Sequence, residues 1–167
     1  AAILWHRNAL GDWVRPGIML YGASPTGLYS DIEHAHLKAV MQLSSEIIDT
    51  QELKKGDRIG YGGRYEATEA MRVGVIACGY ADGYPRNLGN GVAHVLVHNQ
   101  AAKIIGNICM DLCMIDLSSI ESVQEGDEVI LFNQELRIQQ LAKWANTIPY
   151  EIMTGISQRV KRVYMEA

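Results

Sequence analysis

The sequence predicts a mainly β domain, a small barrel or sandwich, and three observations carry that expectation. From residue 37 onward, short apolar runs recur at short intervals with Gly, Asn and Asp between them. That is the texture of strands joined by turns. The turn Lys55-Gly56-Asp57 returns as Glu125-Gly126-Asp127, each time just before an apolar strand. Only one helix is well signalled: within residues 138–147, the apolar Ile138, Leu141, Ala142 and Ala145 fall at i, i+3, i+4 and i+7, and Pro149 bars continuation.

Taken in order, residues 1–13 read as a short helix or turn, and residues 13–22 as one buried strand bounded by Pro16, Gly17 and Gly22. Residues 23–36 carry Ser24, Pro25, Thr26, Gly27, Ser30 and Asp31, a polar linker placed at a domain boundary. Alternating apolar positions then predict extended chain over 37–49, and extended chain continues over 59–65. Further strands are predicted over 73–78, 93–98, 103–105, 109–117 and 128–132, followed by the helix and by extended texture over 152–165, where Arg159, Lys161 and Arg162 are interspersed.

Composition bounds the partners. A chain of 167 residues with 48% hydrophobic and 20% charged residues and a net charge of −4 is that of one globular core, without the basic excess that holds nucleic acid. Three cysteines, Cys78, Cys109 and Cys113, lie in apolar runs in an odd number. This argues against a disulfide framework and predicts a reducing cytoplasm. Cys109 and Cys113 have no second Cys or His pair to complete a tetrahedral set, so no metal site is expected. No apolar run approaches the roughly 18 residues that span a bilayer, and no membrane partner is expected. The chain opens on Ala1-Ala2-Ile3-Leu4-Trp5 without an initiating Met, and the expectation is a piece of something larger.

Chemistry concentrates in Gly79-Tyr80-Ala81-Asp82-Gly83-Tyr84-Pro85-Arg86, where an apolar run empties into a loop bearing two phenols and a guanidinium. Alone, this is also an ordinary hairpin turn. Its company is Arg15-Pro16-Gly17-Ile18-Met19-Leu20-Tyr21-Gly22, Gly60-Tyr61-Gly62-Gly63-Arg64-Tyr65, Ile108-Cys109-Met110-Asp111, Gly126-Asp127-Glu128-Val129 and Pro149-Tyr150-Glu151. In this order and spacing, these motifs resemble the last part of the alanine racemases, the pyridoxal-phosphate enzymes of fold type III.

The resemblance implies a two-domain subunit in a head-to-tail homodimer that interconverts L- and D-alanine and supplies D-alanine for peptidoglycan. An N-terminal α/β barrel would hold the cofactor, and a C-terminal β domain would complete the partner's site. Residues 1–22 would be the remnant of that barrel with its last strand, 23–36 a linker, and 37–167 the β domain. By motif match, Tyr61 is the base acting on L-alanine, and Arg86 is the charge that eases loss of its phenolic proton, since a phenol with pKa about 10 is a poor base at neutral pH. Tyr80 and Met110 match positions that contact the substrate, and Asp111 an orienting group beside them. Arg15 matches the residue that donates to the cofactor's ring nitrogen. A guanidinium has no acceptor, so that nitrogen would be unprotonated and a shallower electron sink, which favours proton return over transamination. The main-chain N–H groups of Gly17 and Ile18 and the Tyr150 hydroxyl match the phosphate grip.

None of Lys38, Lys54, Lys55, Lys103, Lys143 and Lys161 sits in a context matching the family's Schiff-base lysine, so the chain alone is expected to be inactive. Two other readings stay open. One is a related racemase acting on serine or basic amino acids, and the other is a β-barrel interaction module without chemistry, in which Tyr61, Tyr80, Arg86 and Met110 would scatter.

Overall fold

The computed structural model describes residues 1–6, 8 and 10–165. Its elements are α1 (Ala2–Trp5), α2 (Tyr29–His34), β1 (Leu43–Leu53), β2 (Arg58–Ile59), β3 (Tyr65–Glu66), β4 (Met71–Ile76), β5 (His94–Val97), β6 (Gln100–Ile105), β7 (Cys113–Asp116), β8 (Glu128–Phe132), α3 (Ile138–Ala145) and α4 (Pro149–Gly155). The strands β1, β4, β7, β6, β5 and β8 close in that order into a barrel, every pairing antiparallel. The expectation of a mainly β domain is met, and of barrel and sandwich it is the barrel that forms. The short strands β2 and β3 make a separate arm, Arg58 opposite Glu66 and Ile59 opposite Tyr65.

Closure depends on β1. Its first half, Leu43 to Glu46, pairs with β8, and its second half, from Ile47, pairs with β4, with a register irregularity between Ile47 and Asp49. A long strand bent at a bulge serves two neighbours and leaves no free barrel edge. Side chains alternate in and out where one face meets solvent, as in β5, whose Val95 and Val97 are buried between the more exposed His94 and Leu96.

The interior joins Ile47, Ile76, Val95, Ile104, Ile115, Leu131 and Phe132 to Ile138 and Leu141 of α3 and Ile152 of α4. Each fully buried aliphatic side chain contributes about 2 kcal/mol of transfer free energy. A smaller cluster of Leu53, Ala67, Met71, Ile105 and Met114 packs under Ile59 and Tyr65 and supports the β2–β3 arm. The repeated turn motifs share one device. Asp57 accepts the Lys54 N–H at 2.7 Å and Asp127 accepts the Gln124 N–H at 2.9 Å, so the Asp of each motif ties down the turn it closes.

Several local expectations are corrected. Residues 13–22 do not form a strand: the segment is irregular to Gly17 and then turns as a 3-10 helix, Ile18–Tyr21. Trp13 is 92% exposed and only Ile18 of that helix is buried, so the run lacks both the ladder partner and the apolar cover a strand needs. The linker contains α2, and residues 59–65 fold back as a hairpin arm instead of running extended. Pro149 ends nothing. It stands at the first turn of α4, where its missing N–H costs no bond, and α4 takes in the first four residues of the tail expected to be extended, which is irregular beyond Gly155.

Burial sets the titration of three interior groups. It pushes the Cys78 thiol up to about 12, with the Asp82 carboxylate adding to the effect. Burial likewise raises Cys113 and Tyr84, whose ring is fully enclosed. Groups with raised folded-state pKa contribute stability that is whole below their unfolded values and is lost as pH climbs toward the folded ones. Urea unfolding midpoints should therefore fall between pH 8 and pH 10.5, with Cys78 alone contributing about 1.4 kcal/mol per pH unit above pH 9. A midpoint constant over that range would mean that these thiols are not enclosed.

Candidate active site

Between β6 and β7 the chain must turn through Gly106-Asn107-Ile108-Cys109-Met110-Asp111, and this short segment fastens two other loops. The Asn107 side chain is buried; its Nδ2 donates to the Tyr61 carbonyl at 3.1 Å and its Oδ1 accepts from Asn90 Nδ2 at 3.0 Å. Tyr61 thus hangs from a fixed backbone while its side chain is 83% exposed at the tip of the β2–β3 arm. That tip is a tight turn, the Gly63 N–H donating to the Gly60 carbonyl at 2.9 Å.

The loop after β4 is tied to the same segment. The Tyr80 N–H donates to the Cys109 carbonyl at 3.0 Å and the Ala81 N–H to the Met110 carbonyl at 2.9 Å. So close an approach excludes a side chain at Gly79, where a Cβ would lie 2.5 Å from the Cys109 oxygen. Tyr80, Ala81 and Asp82 form a 3-10 turn capped by Gly79, whose N–H donates to Asp82 Oδ2 at 2.8 Å. Burial alone would raise the Asp82 carboxyl, but hydrogen bonds from Arg159 and the Gly79 N–H outweigh it and hold the group below the ordinary carboxylate value. Tyr80 and Met110 stay substantially exposed, a phenol on the loop tied to residues 106–111 and a thioether on that segment itself. The loop continues through buried Tyr84 to a second 3-10 turn, Arg86–Leu88.

A second group assembles around α4. Ile18 is buried and anchors its 3-10 helix, while a Cβ built on the exposed Gly17 would lie 3.9 Å from the Tyr150 hydroxyl. Gly17 and Tyr150, well over a hundred residues apart in sequence, therefore face one another. Arg137 fixes the intervening chain by donating to the carbonyls of Gly22 at 3.3 Å and Leu37 at 3.1 Å. The far end of α4 meets the Tyr80 loop, where the Ser157 N–H donates to the Asp82 carbonyl at 2.9 Å.

The structure thus brings the backbones carrying Tyr61, Tyr80, Met110 and Asp111 onto one segment, and Gly17, Ile18 and Tyr150 onto another. Arg86 is exposed, and among the described residues no hydrogen bond joins it to the Tyr61 hydroxyl. Arg15 is exposed on the irregular approach to Gly17. Three residues that hold these groups carried no assignment from sequence: Asn107, Arg137 and Arg159. Asn107 directly precedes a recognised motif and Arg159 lies in the basic tail, but their partners are 46 and 77 residues away in the chain, a separation that no local pattern encodes. Among the described residues no group of three His, Cys, Asp or Glu is placed to hold a metal ion.

Residues 40–164 match the family model "Alanine racemase, C-terminal domain". The chain is 46% identical over 164 residues to an alanine racemase of Ralstonia nicotianae and 46% identical over 160 residues to a catabolic alanine racemase of Salmonella typhimurium. Each alignment takes in 96% of this chain but only 44% and 45% of the relative. Among solved structures, the biosynthetic alanine racemase of Pseudomonas aeruginosa superposes with a TM-score of 0.90 at 37% identity, over 99% of this chain and 46% of that one. The Bartonella henselae enzyme with covalently bound pyridoxal phosphate superposes with a TM-score of 0.84 at 33% identity, over 91% and 41%. The chain therefore spans less than half the length of these relatives, and its β barrel with the loops it fastens belongs to the alanine racemase family, matching the C-terminal domain.

Proposed function

We propose that this chain forms the C-terminal part of a cytoplasmic pyridoxal-phosphate-dependent alanine racemase acting as a head-to-tail homodimer and supplying D-alanine for peptidoglycan. The observation that carries this reading is the convergence of the Tyr61, Tyr80 and Met110 backbones on residues 106–111. An interaction module without chemistry gives no reason for these positions to share one support.

The residues fit the cofactor. The Tyr150 hydroxyl lies 3.9 Å from a Cβ built on Gly17, so a phenol and the main-chain N–H groups of Gly17 and Ile18 suit a phosphate there, and the guanidinium of Arg15, two residues before Gly17, suits a ring nitrogen that accepts. Pyridoxal phosphate, when bound, supplies the electron sink that acidifies the substrate Cα–H. Tyr61 is assigned the removal and return of that proton on the L face, a role its exposure at the tip of an arm allows. Tyr80 and Met110 would hold the substrate, with Asp111 orienting them. Arg86 is assigned the positive charge that eases loss of the Tyr61 proton, which requires its exposed guanidinium to turn toward the hydroxyl.

The test compares two proteins. The full-length gene product should racemise L-alanine, with serine, lysine and arginine as alternative substrates in the same assay, whereas the 167-residue chain alone should give no D-alanine above background, having no lysine in a Schiff-base context. Turnover by the isolated chain, or no amino-acid racemisation by the full-length product, would overturn the reading.

A further inference from the structure

The Arg159 guanidinium lies between two loops that the sequence does not connect. Its Nε donates to Asp82 Oδ1 at 2.7 Å and its Nη2 to Asp111 Oδ1 at 2.6 Å. Asp82 belongs to the 3-10 turn that carries Tyr80, and Asp111 directly follows Met110. Asp82 is committed on both oxygens, the second accepting the Gly79 N–H at 2.8 Å. The segment supplying the arginine is itself fixed to that turn by the Ser157 N–H on the Asp82 carbonyl. One planar cation with divergent donors satisfies two carboxylates that would otherwise repel one another across the loops. Lysine, with one compact charge on a flexible stem, cannot reproduce that fork.

We propose that Arg159 is a positioning residue that sets the spacing of Tyr80 and Met110 by clamping Asp82 to Asp111. The proposal rests on the reading that Tyr80 and Met110 hold the substrate. Arg159 itself faces carboxylates already engaged, so it is not the group that binds the substrate carboxylate. Its effect on catalysis passes through the two loops. The clamp is distinct from the backbone bonds that tie Tyr80 and Ala81 to Cys109 and Met110. Those fix the main chains, and Arg159 fixes the next carboxylate out on each side.

Two measurements on Arg159→Met and Arg159→Lys decide it. In the 167-residue chain, followed by amide hydrogen exchange, Arg159→Met should speed exchange of the Tyr80 and Ala81 amides by about tenfold, the loss expected for charge-assisted hydrogen bonds. The Ile104 and Ile115 amides of the barrel should exchange as before. In the full-length enzyme, KM for alanine should rise by about tenfold with kcat changed by less than about threefold, and Arg159→Lys should recover only part of the loss. Unchanged Tyr80 and Ala81 exchange would overturn the clamp, and so would uniform acceleration across the barrel, which marks a merely structural residue. If the unaltered full-length protein racemises no amino acid, the functional reading fails while the exchange measurement still decides whether the clamp exists.

Discussion

Replacing Gly83 by alanine is expected to cost about 4 kcal/mol of folding stability, the sum of a strained backbone and an overlap that cannot relax. Gly83 has φ +95, a conformation L side chains rarely adopt, and a Cβ there would lie 2.6 Å from the Gly155 carbonyl carbon and the Ile156 Cα, and closer still to the Gly155 oxygen. Those atoms are main chain at the end of α4, so no rotamer change makes room. For a chain of this size the loss corresponds to roughly 10 °C in Tm. Gly126→Ala is the control. It has φ +90 but open space around it, so it should lose only the conformational part, about 1 kcal/mol. Equal losses in the two variants would mean that the Tyr80 loop does not press against α4.

The second large effect is chemical. In the full-length enzyme, Tyr61→Phe should lower alanine racemisation by roughly a hundred- to ten-thousandfold, the range for loss of a positioned acid–base group. Stability should change little, since Tyr61 is 83% exposed and, among the described residues, its hold is through its main-chain carbonyl, by Asn107. The two faces of the substrate distinguish a base from a packing residue. Exchange of the D-alanine Cα proton with deuterated solvent should survive, because it uses the opposite face, while exchange into L-alanine should fall with racemisation. Parallel loss of both exchanges would assign Tyr61 a structural role.

What could be read from sequence was whatever is local. The barrel's strands announced themselves through apolar runs and turn residues, and β8 was placed at residues 128–132, the span it occupies. The helix α3 was readable from its apolar stripe. Residues 13–22 misled because an apolar run records burial appetite and not a ladder partner, and here Trp13 and Leu20 are left exposed. Pro149 misled because proline is as much a helix-starting residue as a helix-breaking one: α3 stops at Ala145 on a left-handed Asn146, and Pro149 begins α4. The candidate site divides in the same way. Motif positions such as Tyr61 and Tyr80 were readable, but the groups that hold them are set by the fold. Asn107 reaches Tyr61 and Arg159 reaches Asp82 across dozens of intervening residues.

The bend in β1 has a consequence for how the chain acquires its shape. Leu43 meets Phe132, so the barrel's last seam joins residues from the two ends of the β region. Until β8 has emerged from the ribosome, the first half of β1 and the outer side of β5 lack the partner each later shares with it. Such distant pairing makes for slow folding, because the entropy of closing the loop is lost before the contacts that offset it form. Newly made chains should therefore leave the β8-facing edges of β1 and β5 unpaired until β8 closes the barrel.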